Sequence, residues 1–544
     1  MAAETGTTDA PVALDGALYE ELDSRLAVTD EALAGSYPGE AGNRQPVHTV
    51  YVRADRYEDG LAADWGRQAL ELAERHGGMR EVCRVVGIED ALAERIAPLV
   101  EAKLRAEPIE DLRIDFEDGL GAQPDDVEDR LAVESARRLA REIAEGTATP
   151  FAGLRFKCLE EDTRRRGLRS LDLFLGTLIA EGGLTEGLII TLPKVSTVEQ
   201  VEAMVTVCER LERAHGLEPG RLRFEVQVET PQLILGAEGT VPVASMLHRA
   251  DRRITALHYG TYDYSASLQI AAQYQSMEHP GADFAKAVMQ VAVAGTGVTL
   301  SDGSTNILPL GPDEDVHAAW RLHARLIGRS LERGYYQGWD LHWAQLPTRY
   351  IATYAFYRSG FDAAALRLRN YVYGTEGAIL DEPATARALA RFIQRGYACG
   401  ALSEAEVAES CGLDPATVAA IARPHSETRP LGDDAGSLPT GDRPGTPGAG
   451  ADPRRRPADP PAVAHHYLAA PSIRYGAARQ FTKDVEPWLT TTARAACPRR
   501  PRSPPTGRCS PSPTRSSPRA SSATSSRASC RAGSRPACGS SPAR

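Results

Sequence analysis

Two carboxylates close apolar runs in this sequence: Glu229 ends FEVQVE (224–229) and Asp263 ends ALHYGTYD (256–263). At matching heights on neighbouring strands, such a pair can share one hard cation and leave coordination positions for water and substrate oxygens. Mg2+ (or Mn2+ in its place) suits them, because it prefers oxygen ligands and keeps several waters. The alternative is that each carboxylate pairs with an arginine such as Arg155. Ionisable groups recur at equivalent places: Arg53 and Asp55, Glu117 and Asp118, Arg155 and Lys157, Lys194, Asp302 and His342. A charge just past a strand end is often only solvated, but packing does not require one after every strand. Of the 62 basic residues only five are lysine (103, 157, 194, 286 and 483). The compact ammonium of Lys157 or Lys194 could touch a substrate carboxylate or form a Schiff base with a ketone.

These positions need a scaffold that brings strand ends together. Eight short strand candidates are marked at 48–54, 112–118, 154–159, 187–195, 222–230, 254–264, 297–305 and 338–346. Helical stretches such as 126–145, 197–215, 283–293 and 314–333 separate them, and the longer gap 59–105 predicts one extra helix. Strands alternating with helices imply βαβ units and a parallel sheet. Eight of them predict a (β/α)8 TIM barrel, whose active site lies at the C-terminal strand ends. A doubly wound sheet is the competing arrangement, but no GxGxxG or Walker-type loop follows any strand.

The motifs DFEDG (115–119), RFK (155–157), LPKV (192–195), VETPQ (228–232), GTYDYS (260–265) and LHWAQL (341–346) occur in this order. Over residues 47–360 the set resembles the HpcH/HpaI aldolase and citrate lyase β-subunit family, which includes malyl-CoA lyases. The resemblance implies carbon–carbon bond chemistry next to a carbonyl through a metal-bound enolate, with a 2-oxo acid or acyl-CoA substrate. By position, Glu229 and Asp263 match the Mg2+ carboxylates, and Arg155 matches the arginine that steadies the enolate. Glu117 and Asp118 match the acidic pair near the metal waters. Departures at Lys157, at Leu341-His342-Trp343 and around Asp263 fall on the substrate side. The resemblance also implies a homo-oligomer, a trimer or hexamer.

The reading is therefore a metal-dependent lyase or aldolase, with Lys157 and Lys194 beside the substrate. Asp302, His258 and His342 are candidates for the base that takes the substrate's hydroxyl proton. Two rivals are a Schiff-base aldolase using Lys194 or Lys157 and a non-catalytic or regulatory barrel. Residues 403–421 have a helix–turn–helix look, but they hold three Glu, one Asp and no Lys or Arg, which suits a packing pair better than a phosphate contact.

By composition, residues 1–46 form a helical extension with Leu18, Leu22, Leu26 and Leu33 on one amphipathic helix. The barrel takes 47–360, a helical cap 361–425, and a Pro-, Ser- and Arg-rich tail 426–544. With almost no apolar residues to bury, the tail is expected to be disordered. A net charge of −11 argues against nucleic acid as a partner. No run reaches the roughly 18 apolar residues of a membrane span. With no secretory h-region and nine scattered cysteines, a cytoplasmic setting is expected.

Overall fold

The computed structural model describes residues 14–40, 42–374 and 382–423. Eight parallel strands follow one another: β1 (His48–Arg53), β2 (Asp111–Asp115), β3 (Phe151–Arg155), β4 (Leu188–Leu192), β5 (Phe224–Val228), β6 (Ile254–Tyr259), β7 (Thr299–Ser301) and β8 (Gly338–Asp340). Neighbours in sequence are neighbours in the sheet from β1 to β7, and β8 pairs with β1. Closure comes at β7 and β8, where Ser301 bridges Gln337 and the Asp302 N–H donates to the Gln337 carbonyl at 2.8 Å. The fold is a (β/α)8 barrel.

Helices between strands bury one apolar stripe each. Helix Asp125–Glu145 turns Ala132, Ala136, Leu139 and Ala140 to the barrel at helical spacing and stops at Gly146, whose φ is 71°. Helix Val198–His215 starts in a capping box of Thr197 and Gln200 and stops at Gly216. Where the sequence predicts one extra helix, three lie between β1 and β2: Leu61–Arg75, Met79–Val85 and Asp90–Ala106. The N-terminal helix Gly16–Ser36 forms as expected, but it buries no residue, and Leu22, Leu26 and Leu33 are exposed. No helix among the described residues is long and apolar enough to cross a membrane.

After β8 one long helix, Leu346–Tyr373, runs across position 360. From Phe361 onward its buried side chains join a second apolar cluster with helices Pro383–Ala398, Glu404–Cys411 and Pro415–Ala422. The helix–turn–helix stretch lies here. Ser403 and Glu406 form a capping box, Gly412 ends the first helix at φ 67°, and Asp414 caps the second. Val407, Cys411, Val418 and Ile421 face the cluster, so the pair packs into the cap. The tail expected at 426–544 lies outside the described residues.

Inside the barrel, alternate strand residues are polar and reach across it. Arg113 on β2 donates to Asp111 on its own strand at 2.6 Å and to Glu225 on β5 at 2.9 Å. Glu225 also accepts from Thr191 of β4 at 2.5 Å. Thr49 of β1 donates to Asp111 at 2.8 Å. The Trp339 indole donates to His258 Nδ1 at 2.9 Å, leaving the ring proton on Nε2, 3.0 Å from Glu225. Every charge in this layer meets an opposite charge or a hydrogen-bond partner, the condition under which buried ions are tolerated.

Candidate active site

The C-terminal mouth begins where β2 ends. Asp115, the third inward residue of Asp111-Arg113-Asp115, accepts from the Glu117 N–H at 3.0 Å and the Gly119 N–H at 2.8 Å. The DFEDG segment thereby folds back over its own strand. The same carboxylate grips Arg155 Nε and Nη2, each at 2.7 Å, from the adjacent position on β3. This planar, two-point contact fixes the guanidinium. Its carbon lies 4.8 Å from the Tyr51 ring centroid, and Nη1 is 3.4 Å from Gln227 Oε1 and 3.5 Å from Glu117 Oε2. Asp115 and Tyr51 were not singled out in the sequence. Three polar residues alternating along β2 are the signal that marks Asp115 as inward-facing.

Glu229 follows β5 directly and is 2% exposed. A side chain at Gly260 would run into its Cγ, so only glycine lets the turn after β6 pass this close. That turn leads into helix Thr261–Ser267, with Asp263 in the first helical turn. The sequence reading of Asp263 as a strand end is thus corrected: β6 stops at Tyr259, and the close passage at Gly260 carries the chain into a helix. The Asp263 side chain is about half exposed, opposite the buried Glu229.

Lys194 touches all four acids. Its backbone N–H donates to Glu229 Oε2 at 3.1 Å, its ammonium lies 2.6 Å from both Glu117 and Asp118, and Asp263 Oδ1 is 3.8 Å away. Its φ of 49° is a left-handed conformation unusual for lysine. The loop after β4 is also tied to β5, since the Thr230 hydroxyl donates to the Val195 carbonyl at 2.7 Å.

Burial pushes the Glu229 carboxyl up from 4.5 to about 8; Asp263 and Glu117 add to the rise, against Arg155 and Lys194. Burial likewise raises Glu117, helped by Asp118. Asp118 moves down in spite of burial, because Lys194 bonds to it. Burial would lower Lys194, but Glu117, Asp118 and Asp263 drive it upward and keep it an ammonium.

Two other expectations are corrected. The Lys157 ammonium turns away from the mouth to Glu128 of helix Asp125–Glu145 at 2.7 Å and to the Phe116 carbonyl at 2.6 Å, so it belongs to the helix layer rather than to substrate. Asp302 is buried behind β7, where it accepts from Lys286 at 2.9 Å, from Ser330 at 2.6 Å and from the Gly303 N–H at 2.8 Å. A carboxylate so engaged is not available as a base. His258 lies within the barrel layer described above. His342 is half-buried after β8, beside Trp343 and Trp65, and its Nδ1 accepts from the Ala344 N–H at 3.2 Å. Burial lowers its pKa, keeping the ring neutral with its proton on Nε2.

Among the described residues no three His, Cys, Asp or Glu side chains converge as a preformed metal cage. The donor set still fits Mg2+ or Mn2+ bound by two carboxylates and waters. Glu229 is a buried carboxyl whose ionisation its surroundings disfavour, and a divalent cation beside it would restore that ionisation.

A family model described as "Domain of unknown function (DUF6986)" matches residues 26–426. The chain belongs to this family. No curated protein matches it. Solved structures similar to this DUF6986 chain include a citrate lyase from Burkholderia xenovorans LB400, at 18% identity over 69% of this chain and 98% of that one, with a TM-score of 0.45. A Haloferax volcanii malate synthase magnesium/glyoxylate complex is 14% identical over 69% of this chain and 97% of that one, TM-score 0.38. A citrate lyase β subunit from M. tuberculosis, complexed with oxaloacetate and magnesium, is 15% identical over 57% and 98%, TM-score 0.33. The barrel assignment rests on the strand order and closure of the chain itself.

Proposed function

We propose that this protein is a divalent-metal-dependent carbon–carbon lyase or aldolase that passes through an enolate of a 2-oxo acid or acyl-CoA thioester. The observation that carries the reading is the mouth itself: Glu229 is bonded to the Lys194 backbone, Glu117, Asp118 and Asp263 lie around the same lysine's ammonium, and Arg155 is locked in place beside Glu117. Glu229 and Asp263 would hold Mg2+ or Mn2+, which when bound supplies a Lewis acid for the substrate carbonyl.

The chain's own groups supply binding and charge stabilisation. Asp115 holds Arg155 so that Nη1 faces the floor of the mouth, a preorganised donor for oxygen on which charge develops. Glu117 and Asp118 stand where waters around the cation would donate. His342, neutral with its proton on Nε2, is a hydrogen-bond donor rather than a base. A homo-oligomer, a trimer or hexamer, belongs to the same proposal and rests on the motif resemblance.

The Schiff-base alternative needs a lysine held neutral by its surroundings. Lys194 and Lys157 are each bonded to carboxylate, the opposite condition.

The test is deuterium exchange at the enolisable carbon of pyruvate, oxaloacetate and acyl-CoA esters with Mg2+ present. Exchange is expected in the wild type and absent in Glu229→Ala, in Asp263→Ala and after chelation. Exchange that survives chelation, or a borohydride-trapped lysine adduct, overturns the metal mechanism. Failure of every 2-oxo acid to bind the metal-loaded protein would favour a non-catalytic barrel.

A further inference from the structure

Lys194 has no role yet that accounts for its placement. Its backbone amide holds Glu229, while its ammonium lies among the other three acids, at 2.6 Å from Glu117 and Asp118 and 3.8 Å from Asp263. The left-handed backbone at φ 49° brings both contacts into one residue. Arg155, the other cation nearby, is held by Asp115 and cannot take this position without losing its two-point contact.

We propose that Lys194 is the resident counter-ion of the mouth, its ammonium standing among Glu117, Asp118 and Asp263 until a divalent cation beside Asp263 displaces it. The inference rests on the reading of Glu229 and Asp263 as metal ligands. Three acidic side chains gathered in a partly buried mouth, with Glu229 behind them, repel one another unless a cation stands among them. An ammonium is the side chain best suited to that place. It is a compact charge with three rotatable donors, whereas a guanidinium is a broad plane. The flexible four-carbon stem lets the charge withdraw toward solvent without moving the backbone that holds Glu229. The use of lysine here is notable in a chain where only five of 62 basic residues are lysine. Metal entry is then an exchange of one cation for another. The site binds metal more weakly than its carboxylates alone would, and it stays folded when empty.

The consequence is read by binding rather than by turnover. With Mn2+ as the probe, calorimetric titration of full-length Lys194→Gln should show affinity at least tenfold tighter than wild type. Lys194→Arg, which keeps the charge but not the compact shape, should bind Mn2+ less tightly than Lys194→Gln. In chelator Lys194→Gln should melt below wild type, and Mn2+ should close that gap. Equal or weaker Mn2+ binding by Lys194→Gln, with wild type still binding, overturns the proposal and makes Lys194 a positioning residue for the metal ligands. If neither protein binds Mn2+, the metal reading itself falls, and this inference with it. Should Lys194→Gln fail to fold, lysine acylation mapped by mass spectrometry on the wild type decides the matter. Modification of Lys194 should rise on adding Mn2+ while that of Lys157 and Lys286 does not. An unchanged Lys194 refutes displacement.

Discussion

Glu225 and Glu229 lie on one strand run, point into the same barrel and are both buried, yet their chemistry is opposite. Burial acts upward on each. At Glu225 the Arg113 guanidinium and His258 overcome it and hold the carboxylate well below its ordinary value. At Glu229, two inward-facing positions further along and past Gln227, no cation makes a comparable contact, and the carboxyl rises to about 8. The lower layer is complete within the chain and serves stability. The upper layer leaves the Glu229 carboxyl without such a partner, an imbalance of the kind that clusters at functional sites.

The largest effect should come from opening the lower layer. Arg113→Met leaves Asp111 and Glu225 facing each other in the barrel and should cost about 3–5 kcal/mol, measured as a lower urea midpoint. Glu229→Gln should behave in the reverse way. Without metal its stability should match or exceed wild type, because a neutral amide replaces a carboxyl that burial and its neighbours disfavour. Turnover should fall about 100- to 1000-fold, the usual cost of removing a main electrostatic stabiliser. If Glu229→Gln unfolds as readily as Arg113→Met, the division between the two layers is wrong.

The smallest effect belongs to the cap, where buried Arg358 bonds Glu406, whose side chain is over a third exposed. That bond is the main cause of the Glu406 pKa falling from 4.5 to about 2. A folded-state value below the unfolded one means the contribution is present above about 4.5 and fades as pH falls toward 2. Glu406→Gln should therefore cost only about 0.5–1 kcal/mol at neutral pH, since solvent at the Glu406 end screens the pair and the amide keeps a hydrogen-bond acceptor for Arg358. The difference in melting temperature from wild type should vanish with acid. A difference that persists at low pH would mean the contact acts through packing rather than charge.

Much of the frame was legible because it is local. The order of the eight strands and the helices at 126–145, 197–215 and 314–333 follow from apolar runs and their caps, which neighbouring residues decide, although β3 spans Phe151–Arg155 where 154–159 is predicted. The extra helices between β1 and β2 were undercounted, because Gly77-Gly78 and Gly87 split one helical stretch into three. Asp263 was placed on a strand because GTYDYS continues the β6 pattern, and the need of Gly260 to pass beside Glu229 is a contact across strands that no local pattern encodes.

Lys157 and Lys194 show the limit most directly. Each lies two residues past the end of its strand, and by sequence they are equivalent. Only the folded chain separates them, because Glu128 reaches Lys157 from the helix layer while Glu117 and Asp118 meet Lys194 over the mouth. The sequence by itself determined the barrel, the strand that Glu229 follows and the chemical types gathered at the strand ends. Tertiary structure alone decided which of those groups face one another, because the direction of a charged side chain past a strand end follows the nearest opposite charge, and that charge comes from a distant part of the chain.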